Sequence, residues 1–415
     1  MKPRKISFWG LFGQHNLGNE CTLQAVRHNV QKYLPDAETI CICTDPEDTS
    51  ARHELPAFPI AERYVGARDP GKRHAQRNRL TRLFRKVLVR IPQEVLETIR
   101  AFKILKGTDM LLVPGTGFLT DAATGPLGWP YEIFKWSLMA RLCGCKLFYL
   151  SVGAGPIDHG LSKWLIKSAL SLADFRSYRD QSTKTYLEGI GFPAKDDRVY
   201  PDLAFNLPEA LLPSDGERTK RRTVVGVGLM TYAAEMSGGK PGDGVYLDYL
   251  NKLSAFVTWL LVHGYDVKLL IGDVVYDRPV QQDFRELLNG RKPVEAEGRL
   301  IDEPIDSVEH LLSQLAGTDV VVATRFHNVV LALILDKPVI SIGFHHKCVS
   351  LMEDMGLSRY CQDIRRLDAE KLIDQFRDLI NRQDELRPLI RQKTNEFRQA
   401  LDEQYSAIFG GGLPG

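Results

Sequence analysis

Short apolar runs alternate with longer amphipathic stretches along most of this chain, and no other feature limits its fold as strongly. Short apolar runs that end at turn residues predict buried strands, whereas a hydrophobic period near 3.6 residues predicts helices. The strands predicted in the first half are residues 6–9, 39–43, 110–113, 147–152 and 175–178. The helices predicted between them are residues 22–33, 131–142 and 162–172. Buried strands that alternate with helices predict a parallel sheet.

The same alternation begins again after a stretch that is rich in proline and basic residues. This stretch, residues 211–222, is the predicted linker between two domains. Beyond it the predicted strands are residues 223–227, 267–271, 319–323 and 339–342. A chain of 415 residues also exceeds what one hydrophobic core usually supports. We therefore expect an α/β protein with two Rossmann-like domains that face each other across a cleft, residues 1–210 and 223–368, and a helical tail, residues 369–409.

Composition and simple motifs narrow the class of protein. A formal net charge of +2 at pH 7 argues against a dedicated nucleic-acid binder. An odd number of cysteines, seven, fits a reducing compartment, and neither a signal-peptide pattern nor a membrane-spanning apolar run is recognisable. The sequence has no metal-site spacing and no phosphate-binding P-loop. We expect a cytoplasmic protein that needs no metal and no cofactor.

The segment Val320-Val-Val-Ala-Thr-Arg-Phe-His327 carries the strongest functional signal. Arg325 and His327 lie where a predicted strand turns into a helix, and the next strand leads into Gly343-Phe-His-His-Lys347. A right-handed crossover makes the two strands parallel, so if they are neighbours their carboxyl ends lie about 4.8 Å apart. The residues expected to converge there are Arg325, His327, His345, His346 and Lys347.

Cations, imidazoles and a helix N-terminus all favour an anion. The predicted ligand of this cluster is therefore small and carries phosphate, carboxylate or both. The alternative is structural: Arg325 pairs with a structural carboxylate and His327 caps a helix.

Loops at the carboxyl ends of other predicted strands supply further candidates for ligand contact. Each of them could equally be an ordinary turn, and Asp180 is expected to cap the helix at 181–187. The candidates are Asn16, Gly18, Asn19, Gly115, Gly117, Arg179 and Asp202.

Together these residues resemble the polysaccharide pyruvyl transferase family. The order of the segments agrees with that family, although Asn19 stands where Asp is usual and Pro114-Gly-Thr-Gly117 replaces a run of glycines. The segments that carry the resemblance are Asn16-Leu-Gly-Asn-Glu20, residues 115–121, Ser151-Val-Gly-Ala-Gly-Pro156, Tyr178-Arg-Asp180, Tyr200-Pro-Asp202, Arg325-Phe-His327 and residues 337–347.

The resemblance implies a fold like that of the GT-B glycosyltransferases, phosphoenolpyruvate as donor and two hydroxyls of a sugar as acceptor. Arg325, Lys347 and Arg179 would hold the two anionic groups of the donor, and His327 would act as acid and base. Two alternatives remain open: a sugar-nucleotide-dependent glycosyltransferase with the same architecture, and a non-catalytic carbohydrate-binding protein.

Residues 73–90 form a basic amphipathic segment with apolar residues at helical spacing on one face. Such a helix suggests peripheral contact with a membrane surface, and the alternative is a surface helix packed on its own domain. The first interpretation suits an acceptor that is a lipid-linked oligosaccharide at the inner face of the membrane.

Overall fold

A computed structural model describes residues 3–65, 91–122, 124–213, 222–232, 244–290 and 298–410. The basic segment 73–90 and most of the predicted linker, residues 214–221, lie outside the described residues. The chain divides into two compact units that do not follow a single cut in the sequence. The first unit comprises the described residues of Met1–Gln14, Val30–Arg179 and Tyr186–Arg198, and the second those of His15–Asn29, Asp180–Thr185 and Val199–Gly415.

The first sheet has seven strands within the described residues, in the order β3-β2-β1-β4-β5-β6-β7. Its described registers are all parallel, as the sequence predicts. The strands are β1 (Lys5–Trp9), β2 (Glu38–Cys43), β3 (Ala57–Pro59), β4 (Met110–Pro114), β5 (Lys146–Val152), β6 (Phe175–Tyr178) and β7 (Arg198–Val199). The helices in this part of the chain are α1 (Leu17–Tyr33), α2 (Pro46–His53), α3 (Ile91–Leu105), α4 (Trp129–Leu142), α5 (Gly160–Ser171) and α6 (Gln181–Gly189).

The second unit contains a parallel sheet of six described strands in the order β10-β9-β8-β11-β12-β13. Its strands are β8 (Val224–Gly228), β9 (Asp266–Leu270), β10 (Leu300–Ile301), β11 (Val320–Ala323), β12 (Val339–Gly343) and β13 (Cys361–Asp363). Its helices are α7 (Val245–Val262), α8 (Asp277–Asn289), α9 (Val308–Ala316), α10 (Phe326–Ile334), α11 (His346–Asp354), α12 (Ala369–Asn381) and α13 (Gln383–Phe409). No helix in the described part of the chain has both the length and the hydropathy that crossing a membrane requires.

Sequence periodicity predicts most elements to within two residues, and the differences have local causes. The tail is helical, as predicted, and it consists of two helices, because the helical geometry is interrupted at Arg382. Helix α1 begins at Leu17 rather than at Thr22, since the carbonyl of Asn16 accepts the N–H groups of Asn19 and Glu20 at 3.0 and 3.2 Å. The glycine and asparagines of this first turn have the composition of a loop, although the backbone is helical.

Candidate active site

Strands β11 and β12 are parallel, as predicted, and they are neighbours in the sheet, with Val321 opposite Val339. The turn after β11 places Arg325 directly before α10. The guanidinium of Arg325 donates from Nε and Nη2 to the two carboxylate oxygens of Asp277, at 2.8 and 2.5 Å. This is the pairing with a structural carboxylate that the sequence leaves as the alternative for Arg325, and Asp277 is fully buried.

Asp277 connects the carboxyl ends of three neighbouring strands. Besides Arg325 after β11, its carboxylate accepts backbone N–H groups from Thr231 after β8, at 2.9 Å, and from Gly272 and Asp273 after β9, at 3.2 and 3.0 Å. Burial by itself lowers the pKa of Arg325, but the charge of Asp277 outweighs it and the pKa is raised above its ordinary value. Arg325 is therefore a permanent cation in a fixed orientation, with Nη1 on the side of the guanidinium that does not bond Asp277.

His327 is the second residue of α10 and not its N-cap. Its Nε2 lies 3.8 Å from Oδ2 of Asp202, and both side chains are largely shielded from solvent, with 14% and 2% exposed. The other oxygen of Asp202 accepts the N–H of Ala204 at 3.0 Å and so begins the 3-10 helix Leu203–Asn206. Asp202 thus forms a turn and also holds a negative charge close to the imidazole.

The start of α1 lies against His327. A Cβ atom on Gly18 would be only 1.9 Å from Nδ1 of His327, so only glycine permits this close approach. The preceding residues attach α1 to the loop after β9: Asn16 forms an isolated antiparallel bridge with Asp273, and the N–H of Leu17 donates to the carbonyl of Gly272 at 3.0 Å. These contacts explain why the start of α1 belongs to the second unit, together with Arg325 and His327.

The start of α11, which follows β12, contributes one cation near the start of α10. The ammonium of Lys347 lies 5.0 Å from the centre of the Phe326 ring, and Phe326 is buried. The ring of His345 lies 4.2 Å from that of Phe344, whereas His346 begins α11 and is exposed. Three residues after β12 were expected to converge on Arg325 and His327: His345, His346 and Lys347. Of these, Lys347 contacts Phe326 of the Arg325-Phe326-His327 turn, and His346 is exposed to solvent.

In the first unit a second group of candidates lies at the carboxyl ends of β4, β5 and β6. A Cβ on Gly115 would be 2.0 Å from the carbonyl oxygen of Ser151, and a Cβ on Gly153 would be 2.4 Å from Nη2 of Arg179. Neighbouring chain segments therefore approach each other closely where these strands end, and the guanidinium of Arg179 lies against Gly153. Gly117 is exposed, with open space around the position of its absent Cβ.

Asp180 has the capping role that the sequence predicts. Within the second unit its carboxylate accepts the backbone N–H of Thr183 and the hydroxyl of Ser182, both at 2.6 Å.

The sequence does not single out Asp277 and Asp273 as functional residues. Both follow the predicted strand 267–271, so their position after a strand was a usable signal, but an acidic residue at the first turn of a helix is common for purely structural reasons. Burial raises the pKa of Asp273, although Arg325 acts in the opposite direction. Only the folded chain shows that these acids surround the guanidinium of Arg325.

The chain is similar to known proteins over most of its length. Residues 16–346 match the model of the family described as polysaccharide pyruvyl transferase. The amylovoran biosynthesis protein AmsJ of Erwinia amylovora is 21% identical over 302 residues, which are 71% of each chain.

Solved structures resemble the fold at low sequence identity. UDP-GlcNAc 2-epimerase of Methanocaldococcus jannaschii is 12% identical with a TM-score of 0.57, over 91% of this chain and 93% of that chain. A glycosyltransferase of Rickettsia africae is 12% identical with a TM-score of 0.55, over 99% and 100%. Alr3699/HepE of Anabaena, solved with UDP and glucose, is 14% identical with a TM-score of 0.56, over 97% and 100%. The fold is thus the predicted α/β class with two parallel sheets, of the type found in GT-B glycosyltransferases and epimerases.

Proposed function

Because this chain belongs to the polysaccharide pyruvyl transferase family, we propose that it transfers the pyruvyl group of phosphoenolpyruvate to two hydroxyls of a sugar in a polysaccharide precursor. The product is a cyclic pyruvate ketal and the leaving group is phosphate. The observation that carries the proposal is the Arg325-Phe326-His327 turn, in which an imidazole paired with Asp202 lies beside the fixed cation Arg325 and near Lys347.

Proton transfer is the role proposed for His327. The methylene carbon of the donor takes a proton, which makes the adjacent carbon electrophilic, and a sugar hydroxyl adds there and releases its own proton. Phosphate then leaves, and the second hydroxyl closes the ketal and releases a second proton. An imidazole can supply the first proton and accept a later one near neutral pH, and the carboxylate of Asp202 lies 3.8 Å from the Nε2 atom of His327.

Binding of the donor anions is the role proposed for the start of α10 and its cations. A helix N-terminus carries a partial positive charge and unbonded N–H groups, which suit a phosphate or carboxylate. Nη1 of Arg325 and the ammonium of Lys347, which lies 5.0 Å from the centre of the Phe326 ring, add positive charge there. Arg325 is held by Asp277 and therefore loses little side-chain entropy when it binds. Arg179 of the first unit remains a predicted anion contact.

The acceptor proposed is a polysaccharide repeat or a lipid-linked oligosaccharide that the protein meets in the cytoplasm at the inner face of a membrane. The similarity to an amylovoran biosynthesis protein supports polysaccharide modification. Peripheral contact through the basic segment 73–90 belongs to the same proposal, and that segment lies outside the described residues.

Ligand-induced thermal stabilisation distinguishes this proposal from its rivals. At about 100 times its dissociation constant, a ligand stabilises the folded state by about 2.7 kcal/mol. Phosphoenolpyruvate should raise the melting temperature, and mass spectrometry of incubated glycans should detect the ketal together with released phosphate. Stabilisation by a UDP-sugar alone would favour a glycosyltransferase, and stabilisation by neither donor would favour a non-catalytic carbohydrate-binding protein.

A further inference from the structure

The side chain of Asn328, the third residue of α10, is buried without a hydrogen-bond partner among the described residues. Its exposed fraction is 0%, and neither the nitrogen nor the oxygen of its amide bonds to any residue that the structure describes. The amide of asparagine can donate two hydrogen bonds and accept two. A buried polar group that makes none of its bonds destabilises the folded state, so such a group indicates a partner from outside the chain.

The amide of Asn328 lies at the carboxyl ends of two neighbouring strands. A Cβ atom on Gly272, which follows β9, would be 2.7 Å from Oδ1 of Asn328, and a Cβ on Gly228, the last residue of β8, would be 3.1 Å from Nδ2. Both distances are shorter than ordinary van der Waals separations, so the amide is held firmly against the ends of these strands. Ligands of parallel α/β sheets bind outside the carboxyl ends of the strands, so the amide has the position of a ligand-binding group.

The amide is directed toward the start of α10. Side chains of an α-helix tilt toward its N-terminus, so the side chain of the third residue lies beside the first turn. Arg325 precedes the helix as its N-cap and makes no capping bond with its side chain. Its stem packs on the same glycine as the amide, since Cγ and Cβ of Arg325 would be 3.1 and 3.2 Å from a Cβ on Gly272. The amide of Asn328 therefore lies beside the side chain that carries the fixed guanidinium.

An anionic oxygen is the partner that suits this position best. The first N–H groups of a helix carry a partial positive charge, which attracts an anion and repels a cation. The NH2 group of the amide adds a hydrogen bond without adding net charge, and a bond to an ionised acceptor is stronger than one to a neutral acceptor. Because the amide is enclosed by protein, the anion reaches it when the first turn of α10 opens, and helix ends open more readily than helix interiors.

We propose that Asn328 is a further donor-binding residue, whose side-chain NH2 group donates a hydrogen bond to an anionic oxygen held at the start of α10. The inference rests on the proposed pyruvyl transfer for the identity of the anion as phosphoenolpyruvate, which offers such oxygens on its phosphate and on its carboxylate. Arg325 supplies charge, and Asn328 supplies a directed hydrogen bond. The buried amide gains its partner only when the anion binds, so Asn328 favours binding at the expense of the stability of the free protein.

Calorimetry with phosphoenolpyruvate, inorganic phosphate and pyruvate tests the inference without any turnover. Asn328→Leu keeps the approximate size of the side chain and removes the amide, so it should weaken phosphoenolpyruvate binding about 10–100-fold without lowering the melting temperature. A parallel loss for phosphate alone assigns the contact to the phosphoryl group, and a parallel loss for pyruvate alone assigns it to the carboxylate. Asn328→Ala, which places no branched group between the two glycines, should show the same loss of affinity.

Asn29→Leu is the matched control. Asn29 is another buried asparagine of the second unit, but its Nδ2 donates to the carbonyl of Ala25 at 2.8 Å. This variant should have a lower melting temperature and wild-type affinity for phosphoenolpyruvate. Wild-type affinity in both Asn328 variants would overturn the inference and leave the proposed function standing, and a wild type that binds none of the three anions would overturn both. Phosphate binding that depends on Asn328, in a protein that does not consume phosphoenolpyruvate, would instead overturn the proposed function.

Discussion

Replacing Gly18 with alanine is the sharpest test of the geometry around His327. Gly18 is the second residue of α1, and its φ is not positive, so the helix itself accepts an alanine. In a helix that exchange normally stabilises by about 0.5–1 kcal/mol. A Cβ at this position, however, would lie 1.9 Å from Nδ1 and 2.2 Å from Cγ of His327. The substitution therefore favours the helix and disturbs the imidazole.

The size of the disturbance follows from the contact distance. Non-bonded carbon and nitrogen atoms pack at about 3.5 Å, so the imidazole must move by roughly 1.5 Å. This movement changes its separation from Asp202, which is 3.8 Å in the structure. Loss of positioned acid–base catalysis lowers kcat by about 10²–10⁴-fold. We expect such a fall in phosphate release, with phosphoenolpyruvate affinity by calorimetry close to that of the wild type.

Gly160→Ala provides the matched control for Gly18→Ala. Gly160 begins α5, its φ is not positive, and no atom lies within 4 Å of its hypothetical Cβ. This variant should turn over like the wild type. In a His327→Ala background Gly18→Ala should cause a much smaller loss, because no imidazole remains to be displaced and only the contact with Cβ of residue 327, at 2.7 Å, persists. Normal turnover by the single variant, or an equal loss in both backgrounds, would refute the reasoning.

The remaining predictions concern proton transfer, the buried ion pair, a buried lysine and metals. His327→Asn should keep phosphoenolpyruvate binding in calorimetry while product formation falls by about 10²–10⁴-fold, and normal turnover would exclude the acid–base role. Arg325→Lys cannot reproduce both bonds to Asp277, so urea unfolding should show a loss of about 1.5–3 kcal/mol together with a higher donor KM; unchanged stability would contradict the ion-pair geometry. Replacing Lys337 and Pro338 with Gly-Ala should lower the melting temperature clearly and kcat only slightly. The reason is that Lys337 is buried and its ammonium donates to the carbonyl of Ala316, at the end of α9, at 2.9 Å. Lost turnover at an unchanged melting temperature would indicate a catalytic role instead. Added chelator should leave turnover intact, whereas a loss that only divalent metal restores would identify a metal-dependent step.

Local sequence patterns were enough to predict the order of most strands and helices and the loops where chemistry could occur. Apolar runs at 319–323 and 339–342 correspond to β11 and β12, and the crossover rule correctly made them parallel. The capping role of Asp180 followed from its position directly before a helix. Such features depend on interactions within a few residues, so the local sequence is enough to predict them.

Which side chains meet depends on the folded chain. Arg325 bonds Asp277, which lies 48 residues earlier in the chain, and Gly18 makes room for His327 from a helix near the start of the sequence. Hydrophobic period and capping preference act over one or two turns and do not select a distant partner. That selection depends on which strands are adjacent and in what register, because their carboxyl ends bring the side chains of different loops together.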